Sequence, residues 1–224
     1  MRRIRSRSFA VAAAAMLTAC STGPRDYPLP PPPLPLPVQV AAPAYLFADV
    51  IGDGRDRARR IVAAGARALP PAEVGAFIAR YETELRRETA GTGVDVLRQG
   101  DQLAVRMPAA LTFDSGSAEI KPEFRSTLNE VSRIVSSNRA AYVDVLGHTD
   151  TTGSDEVNLT LSQRRATSVR DYLVTRKVAG VRIATRGFGE SMPLRMPEVS
   201  ESDQAANRRV EIRITPLRQG DQHR

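Results

Sequence analysis

The chain has 224 residues, enough for one domain of about 100 to 150 residues with accessory segments and too few for two large domains. Aromatic residues make up only 5% and tryptophan is absent, yet 42% of residues are hydrophobic, so a core can be built from Val, Leu, Ile and Ala. The formal charge of +7 falls to +3 once the four arginines at positions 2, 3, 5 and 7 are set aside, and no segment combines clustered basic residues with aromatics, which excludes nucleic acid as a partner.

In chain order, residues 1–19 read as an export signal. Arg2, Arg3, Arg5 and Arg7 form a basic start, and "FAVAAAAMLTA" follows as an apolar run of eleven residues. A spanning helix needs about 20. The run ends in "LTAC", which resembles the lipobox of bacterial lipoprotein signal peptides: Leu17, two small residues, then Cys20. The resemblance implies that Cys20 is acylated, palmitate included, as the first residue of the mature chain. Ser21 after it, in place of Asp, is the type associated with anchoring in the outer membrane, facing the periplasm. The plainer alternative is an ordinary cleaved signal with an incidental cysteine. Cys20 is the only cysteine, so an intramolecular disulfide is excluded. Acyl chains contribute about 0.8 kcal/mol per buried methylene, and two suffice for a stable anchor in a lipid bilayer.

Residues 20–43 are the lipidated terminus and a proline-rich linker. "YPLPPPPLPLPVQVAAP", 27–43, is nearly uncharged, and proline fixes φ and donates no hydrogen bond. At about 3.1 Å per residue such a spacer extends some 50 Å. A ligand for a proline-recognising domain is the other reading. Residues 44–90 form a helical segment, with helices expected over 55–69 and 71–88. Pro71 suits a first helical position, and Val74, Phe77, Ile78, Tyr81 and Leu85 recur at helical spacing. That stripe serves either packing on the main domain or self-association and docking of a periplasmic protein partner through residues 55–88. "GTG" at 91–93 then opens the main domain, 91–217, which a polar tail, 218–224, follows.

Within that domain "VDVLRQGDQLAVRM" reads as a strand pair around a Gln-Gly-Asp turn. "KPEFRSTLNEVSRIVSSN" reads as a helix with Phe124, Leu128, Val131 and Val135 as its stripe. "AAYVDVLGH" is a strand with Val143 and Val145 on one face, and a second helix covers the region from about 155. "VRIATRGFG" and "RRVEIRITP" are further strands, the last alternating Val210, Ile212 and Ile214 with charged or polar neighbours. The pattern β-α-β-α-β-β predicts an α/β two-layer sandwich, a mixed β-sheet with helices packed on one face.

The second helix carries the most informative residue. Thr152 with Asp155 fits a capping signature, and Asp155 and Glu156 put acid in the first turn. At about 100° per residue with Leu161 at the origin, Tyr172, Val169, Leu173 and Ala166 form the apolar face, and Arg165 and Asn158 fall inside it. A buried guanidinium requires a counter-charge, and Asp150, on the loop after the preceding strand, is the nearest candidate. Two readings stand: a structural Arg165–Asp150 ion pair, or a strand-end pocket in which Asp150 holds an ammonium while Arg165 grips a carboxylate bidentately. His148, Asp150 and Ser162 can be drawn as a triad. However, the chain has two histidines only, at 148 and 223, with neither a nucleophile elbow nor HExxH spacing, so neither catalysis, a cofactor nor a metal is expected.

"GHTDTTGSDEVNLTLSQRRATSV", with "LTFDSGSAEIKP" upstream and "RGFGESMP" and "AANRRVEIRI" downstream, resembles the OmpA-like peptidoglycan-binding domain over about residues 94 to 216. The upstream part is most similar to the lipid-anchored branch of that family, with a further likeness to peptidoglycan-associated lipoprotein. The resemblance implies non-catalytic binding of the diaminopimelate residue of the peptidoglycan stem peptide, tethering the outer membrane to the cell wall. A scaffold whose main business is a periplasmic protein partner is the alternative. By the family's motifs, Asp150 and Arg165 meet the charged termini of diaminopimelate, Asn158 stands beside the ligand, and Thr152, Asp114 and Ser115 lie in segments lining the cleft. An arginine of "NRR" contributes in some relatives, leaving Arg208 and Arg209 both as candidates.

Overall fold

A computed structural model of the chain describes residues 54–221. The export signal, Cys20, the proline-rich stretch and His223 lie outside the described residues.

Two short strands, β1 (Asp95–Gln99) and β2 (Gln102–Pro108), form the expected hairpin about Gly100 and Asp101. They join β5 (Arg209–Pro216), β3 (Ala141–His148) and β4 (Ile183–Gly187) in one sheet of order β1-β2-β5-β3-β4, with β3 and β4 parallel and the other neighbours antiparallel. A mixed α/β sheet with helices is therefore the fold, five-stranded because the hairpin supplies two strands. The register aligns Val105, Ile212 and Val145 across β2, β5 and β3, and Leu103, Ile214 and Val143 beside them. All six are fully buried, and such cross-strand rows of branched side chains stabilise a sheet. A one-residue slip would turn every one of them to the other face.

That face is covered by α2 (Pro71–Glu88), α4 (Arg125–Ser137) and α5 (Asp155–Thr175), and a four-residue turn of helix, α3 (Ala109–Thr112), follows β2. Phe124, Leu128, Val131 and Val135 are all buried, with Ile134 added. On α2, Val74, Phe77, Ile78, Tyr81 and Leu85 belong to the same core as the strands. The stripe is thus spent on the domain itself, which corrects its reading as a surface for self-association or a protein partner. A unit beginning at residue 91 would leave this core face bare.

The helix expected over 55–69 is shorter. It is α1, Gly54–Ala63, and Gly65 closes it at a φ of 88°. Leu69 then bridges the chain beyond β5, its amide donating to the Leu217 carbonyl at 2.8 Å and its carbonyl accepting from Gln219 at 2.9 Å. Arg218 meets Asp101 at 2.8 Å, so the first residues of the stretch read as a polar tail are tied to the fold.

Helix α1 lies on the sheet's second face, because Tyr142 and Asp144 alternate with Val143. Arg57, 4% exposed, reaches in from α1: Nη1 pairs with Asp144 at 2.5 Å, while Nη2 donates to the carbonyls of Val143 at 3.0 Å and Arg182 at 2.7 Å. Its guanidinium also lies over the Tyr142 ring at 5.3 Å. Charge-assisted hydrogen bonds are worth about 1.5–3 kcal/mol each, so Arg57→Ala is expected to cost at least about 2 kcal/mol in urea denaturation. In the same variant, limited proteolysis should cut within 54–66 before anywhere else in the described residues.

The charged side chains of β5 also face this second side, and they are buried. Arg209, Glu211 and Arg213 are 1%, 2% and 4% exposed. Alternation with Val210, Ile212 and Ile214 is the pattern of a half-solvated strand, but here the arginines share one buried carboxylate instead. Glu211 takes Arg209 Nε at 2.7 Å and Arg213 Nη2 at 3.1 Å, with Arg106 Nε at 3.6 Å.

Candidate functional site

The loop 149–154 leaves the end of β3 and enters α5. Ser154 is the N-cap, its hydroxyl accepting from the Val157 amide at 3.4 Å, so the cap expected at Thr152 lies two residues further on. Asn158, 4% exposed, pins the loop: its Nδ2 faces the carbonyls of Asp150 at 3.3 Å and Thr152 at 3.1 Å and the Glu190 carboxylate at 2.8 Å. From the far side, Glu198 accepts from the Thr151 amide at 3.1 Å and its hydroxyl at 2.7 Å.

Helix α5 sits directly on the strands. Gly147 and Gly187 are paired across β3 and β4, and a Cβ on Gly147 would meet the Ser162 carbonyl oxygen at 2.1 Å. On Gly187 it would meet the Gln163 amide nitrogen at 2.4 Å. Two further bonds lock the contact: the Gly189 amide donates to Ser162 Oγ at 2.9 Å and the Gly187 amide to Gln163 Oε1 at 2.6 Å. The buried face of α5 is therefore centred on Ser162, with Leu161 at its margin, one residue away from the expected centre.

This docking places Arg165, 5% exposed, against the loop 113–118. Its Nε donates to the Ser117 carbonyl at 2.8 Å, Nη2 reaches the Asp114 carbonyl at 3.5 Å, and the guanidinium lies over the Phe113 ring at 5.2 Å. The anticipated Arg165–Asp150 ion pair is not formed. Asp150, 6% exposed, instead accepts from the Thr152 amide at 3.1 Å and pairs with Arg208 Nη1 at 2.6 Å. Glu201, the first residue of α6 (Glu201–Asn207), holds the other arm of Arg208.

The two arginines left open by the sequence face opposite sides of the sheet. Arg208 precedes β5 and meets Asp150, whereas Arg209 turns to the second face with Glu211 and has no contact with Asp150 or Arg165. Asp114, Ser115 and Thr152 are exposed, and Asp114 pairs with Lys121 at 3.3 Å.

Two guanidiniums thus flank one carboxylate at the strand end. The Asp150 hydrogen bond, reinforced by Glu201, raises the pKa of Arg208. Burial, and then the repulsion of Arg208, lowers that of Arg165, with Asp150 opposing. Arg165 is a buried cation whose direct partners are neutral carbonyls and a ring, a setting that a carboxylate from outside would complete.

No triad is formed by His148, Asp150 and Ser162. His148 is fully buried and stacked on Phe188 at 5.3 Å, with neither ring nitrogen bonded to any described residue. Burial first, then the arginines around it, hold its pKa well below the usual histidine range. Ser162 gives its proton to the Leu159 carbonyl at 2.8 Å. Among the described residues no group of His, Cys, Asp and Glu is placed to hold a metal. Sequence reasoning missed Glu190, Glu198 and Glu201, whose stretch has no periodicity, and Phe113, which carries the conspicuous signal of an aromatic between β2 and α4.

A mixed sheet under a helical layer, with a cluster of charged side chains at the carboxyl end of β3, defines an α/β binding domain. The model of the OmpA family matches residues 112–208. Outer membrane protein A of Bordetella avium is 34% identical over 132 residues, 56% of this chain and 68% of that protein. The chain belongs to the OmpA family. Probable lipoprotein YiaD of Escherichia coli is 42% identical over 144 residues, 64% of this chain and 65% of that protein. Peptidoglycan-binding protein ArfA of Mycobacterium tuberculosis is 41% identical over 102 residues, 46% of this chain and 31% of its own length. The structure of the cell wall anchor of the T6SS from Pseudomonas aeruginosa superposes with a TM-score of 0.54 at 27% identity, covering 62% of this chain and 96% of that one.

Proposed function

We propose that the domain binds peptidoglycan non-covalently through the diaminopimelate residue of the stem peptide. The observation that carries this is the buried Asp150 beside Arg165 and Arg208. A ligand carboxylate would lie between the two guanidiniums, relieving their mutual repulsion, while the ligand's ammonium takes the place of Arg208 on Asp150. Asn158 acts by holding the loop, since its amide nitrogen is already engaged three times. Asp114, Ser115 and Thr152 form the exposed rim. Kinship with a peptidoglycan-binding protein and a cell wall anchor supports the reading.

On this reading the domain is a tether that holds its ligand without acting on it. On the same proposal Cys20, acylated within "LTAC", anchors the chain in the outer membrane, and the proline-rich residues 27–43 link that anchor to the domain. Among the described residues no helix is long and apolar enough to cross a membrane. A protein partner held through 55–88 would meet polar residues, because the apolar face of α2 is inside the core.

Calorimetric titration with a diaminopimelate stem peptide, alongside sedimentation with purified sacculi, tests this. Truncating one member of a buried charged contact costs about 2–5 kcal/mol of binding, so Asp150→Ala and Arg165→Ala should each weaken it by about thirtyfold or more. Wild-type affinity in either folded variant would refute the assignment.

A further inference from the structure

The stretch between β4 and α6 is irregular, yet one of its residues ties two parts of the ligand site together. Glu198, half-buried, stands between the loop after β3 and the entry to β5. Its Oε2 accepts from the Thr151 amide at 3.1 Å and the Thr151 hydroxyl at 2.7 Å, and its Oε1 accepts from the Asn207 side-chain amide. Thr151 follows Asp150 in the chain and Asn207 precedes Arg208, while Arg208 Nη1 meets Asp150 at 2.6 Å. The contacts close a ring that runs from Asp150 through Thr151, Glu198, Asn207 and Arg208 back to Asp150.

The ring is fixed to the fold at its far side. Asn207 is fully buried, its Oδ1 accepts from the amides of Leu194 at 2.6 Å and Arg195 at 2.9 Å, and its Nδ2 also donates to the Arg195 carbonyl at 2.9 Å. Beyond Glu198, the Val199 amide donates to Asp203 of α6 at 3.2 Å, and Ser200 is the N-cap of that helix. Both partners of Glu198 are donors, Thr151 through its backbone N–H and Asn207 through its NH2 group. Two acceptor oxygens are needed to satisfy both, which an ionised carboxylate has and a carboxamide has not.

We infer that Glu198 is a positioning residue for the ligand site, setting the separation of Asp150 and Arg208 without touching the ligand. The inference rests on the proposed function, in which the ligand's ammonium replaces Arg208 on Asp150. Once that direct pair opens, the path through Glu198 keeps the Arg208 backbone facing Asp150, with the guanidinium left for the ligand carboxylate. A site held in place by its surroundings binds more tightly, because less ordering remains to be done on binding.

The test titrates the full chain with a diaminopimelate stem peptide under conditions in which each variant is folded by circular dichroism. A role in stability alone leaves the affinity of folded protein unchanged. Glu198→Gln should bind about tenfold more weakly, through the loss of one or two charge-assisted hydrogen bonds. Adding Asn207→Asp reverses one bond of the ring: the carboxamide oxygen keeps Thr151, and its NH2 group donates to the new carboxylate, which still accepts from Leu194 and Arg195. That double variant should return to within about threefold of the wild type. Thr151→Val, at an exposed side chain, removes the hydroxyl bond alone and should weaken binding about threefold, which decides the matter if the double variant does not fold. Wild-type affinity in Glu198→Gln or in Thr151→Val would overturn the positioning role and leave the peptide site standing. A loss in Glu198→Gln that the folded double variant does not repair would make the carboxylate act on the ligand by its charge, and would overturn the role equally. Failure of the wild type to bind would overturn both readings.

Discussion

Gly147→Ala is expected to lower the stability of the domain by about 3 kcal/mol or more. Extra methyl groups in well-packed cores cost about 1–3 kcal/mol when side chains can give way. Here the new Cβ would stand 2.1 Å from a helix carbonyl oxygen and 2.7 Å from its carbon, and backbone cannot rotate aside. Helix α5 must therefore lift from β3, straining the Gly189–Ser162 and Gly187–Gln163 bonds and drawing Arg165 away from Ser117. Urea denaturation should show the loss, and stem-peptide affinity should fall with it. Gly75→Ala is the control: that glycine is exposed within α2 with nothing within 4 Å of its would-be Cβ. The change there should be neutral or stabilising by up to about 1 kcal/mol.

Glu211→Gln should cost about 3–5 kcal/mol, because it leaves Arg209 and Arg213 buried together without their shared counter-charge. The same carboxylate gives the fold a pH dependence. Burial opposes its ionisation, but Arg209, followed by the other cations around it, outweighs this and holds its pKa far below the ordinary 4.5. The unfolded chain therefore binds this proton at a higher pH than the native one does. The stabilisation is complete above about pH 4.5 and is lost progressively as the pH falls toward the native value. Urea midpoints measured between pH 7 and pH 3 should fall in the wild type below about pH 4.5. They should fall less steeply in Glu211→Gln, and parallel curves would refute the linkage.

The regular elements were legible because their apolar periods are clean: the hairpin at 95–108, the stripes of α2 and α4, and the alternation of β3 and β5. What could not be read is what distant segments do to charged groups. Arg182 looks like a surface residue, but it is 2% exposed and donates to the carbonyls of Ala141, Val135 and Asn138 at 2.9, 2.8 and 2.8 Å. Arg165 was correctly placed inside the apolar face, but of its two expected partners the Asp150 carboxylate is not the one it meets. An arginine has five donors and a planar face, and two carbonyls with a phenylalanine occupy part of that capacity. The choice between Arg208 and Arg209 was available from parity, since Arg209 shares a strand face with Glu211 and Arg213. The centre of α5 was missed by one residue because a contact between backbones at glycine leaves no hydrophobic signature.

The position of α1 has a mechanical consequence. Arg57 fixes the incoming chain to Tyr142 and Asp144 near the start of β3, and Asp150 lies just past that strand's other end, about 20 Å away. If Asp150 holds the wall and residue 54 receives the pull from the membrane, tension runs lengthwise along β3, a strand bonded on both edges to β5 and β4. A strand pulled along its axis strains its flanking hydrogen bonds together, whereas one peeled from an edge loses them in succession. The first part to yield is α1 itself, held by Arg57 and a small cluster of Ala58, Ile61, Ala66 and Leu217. Its release would lengthen the chain ahead of residue 69 while leaving the sheet and its strand pairing intact.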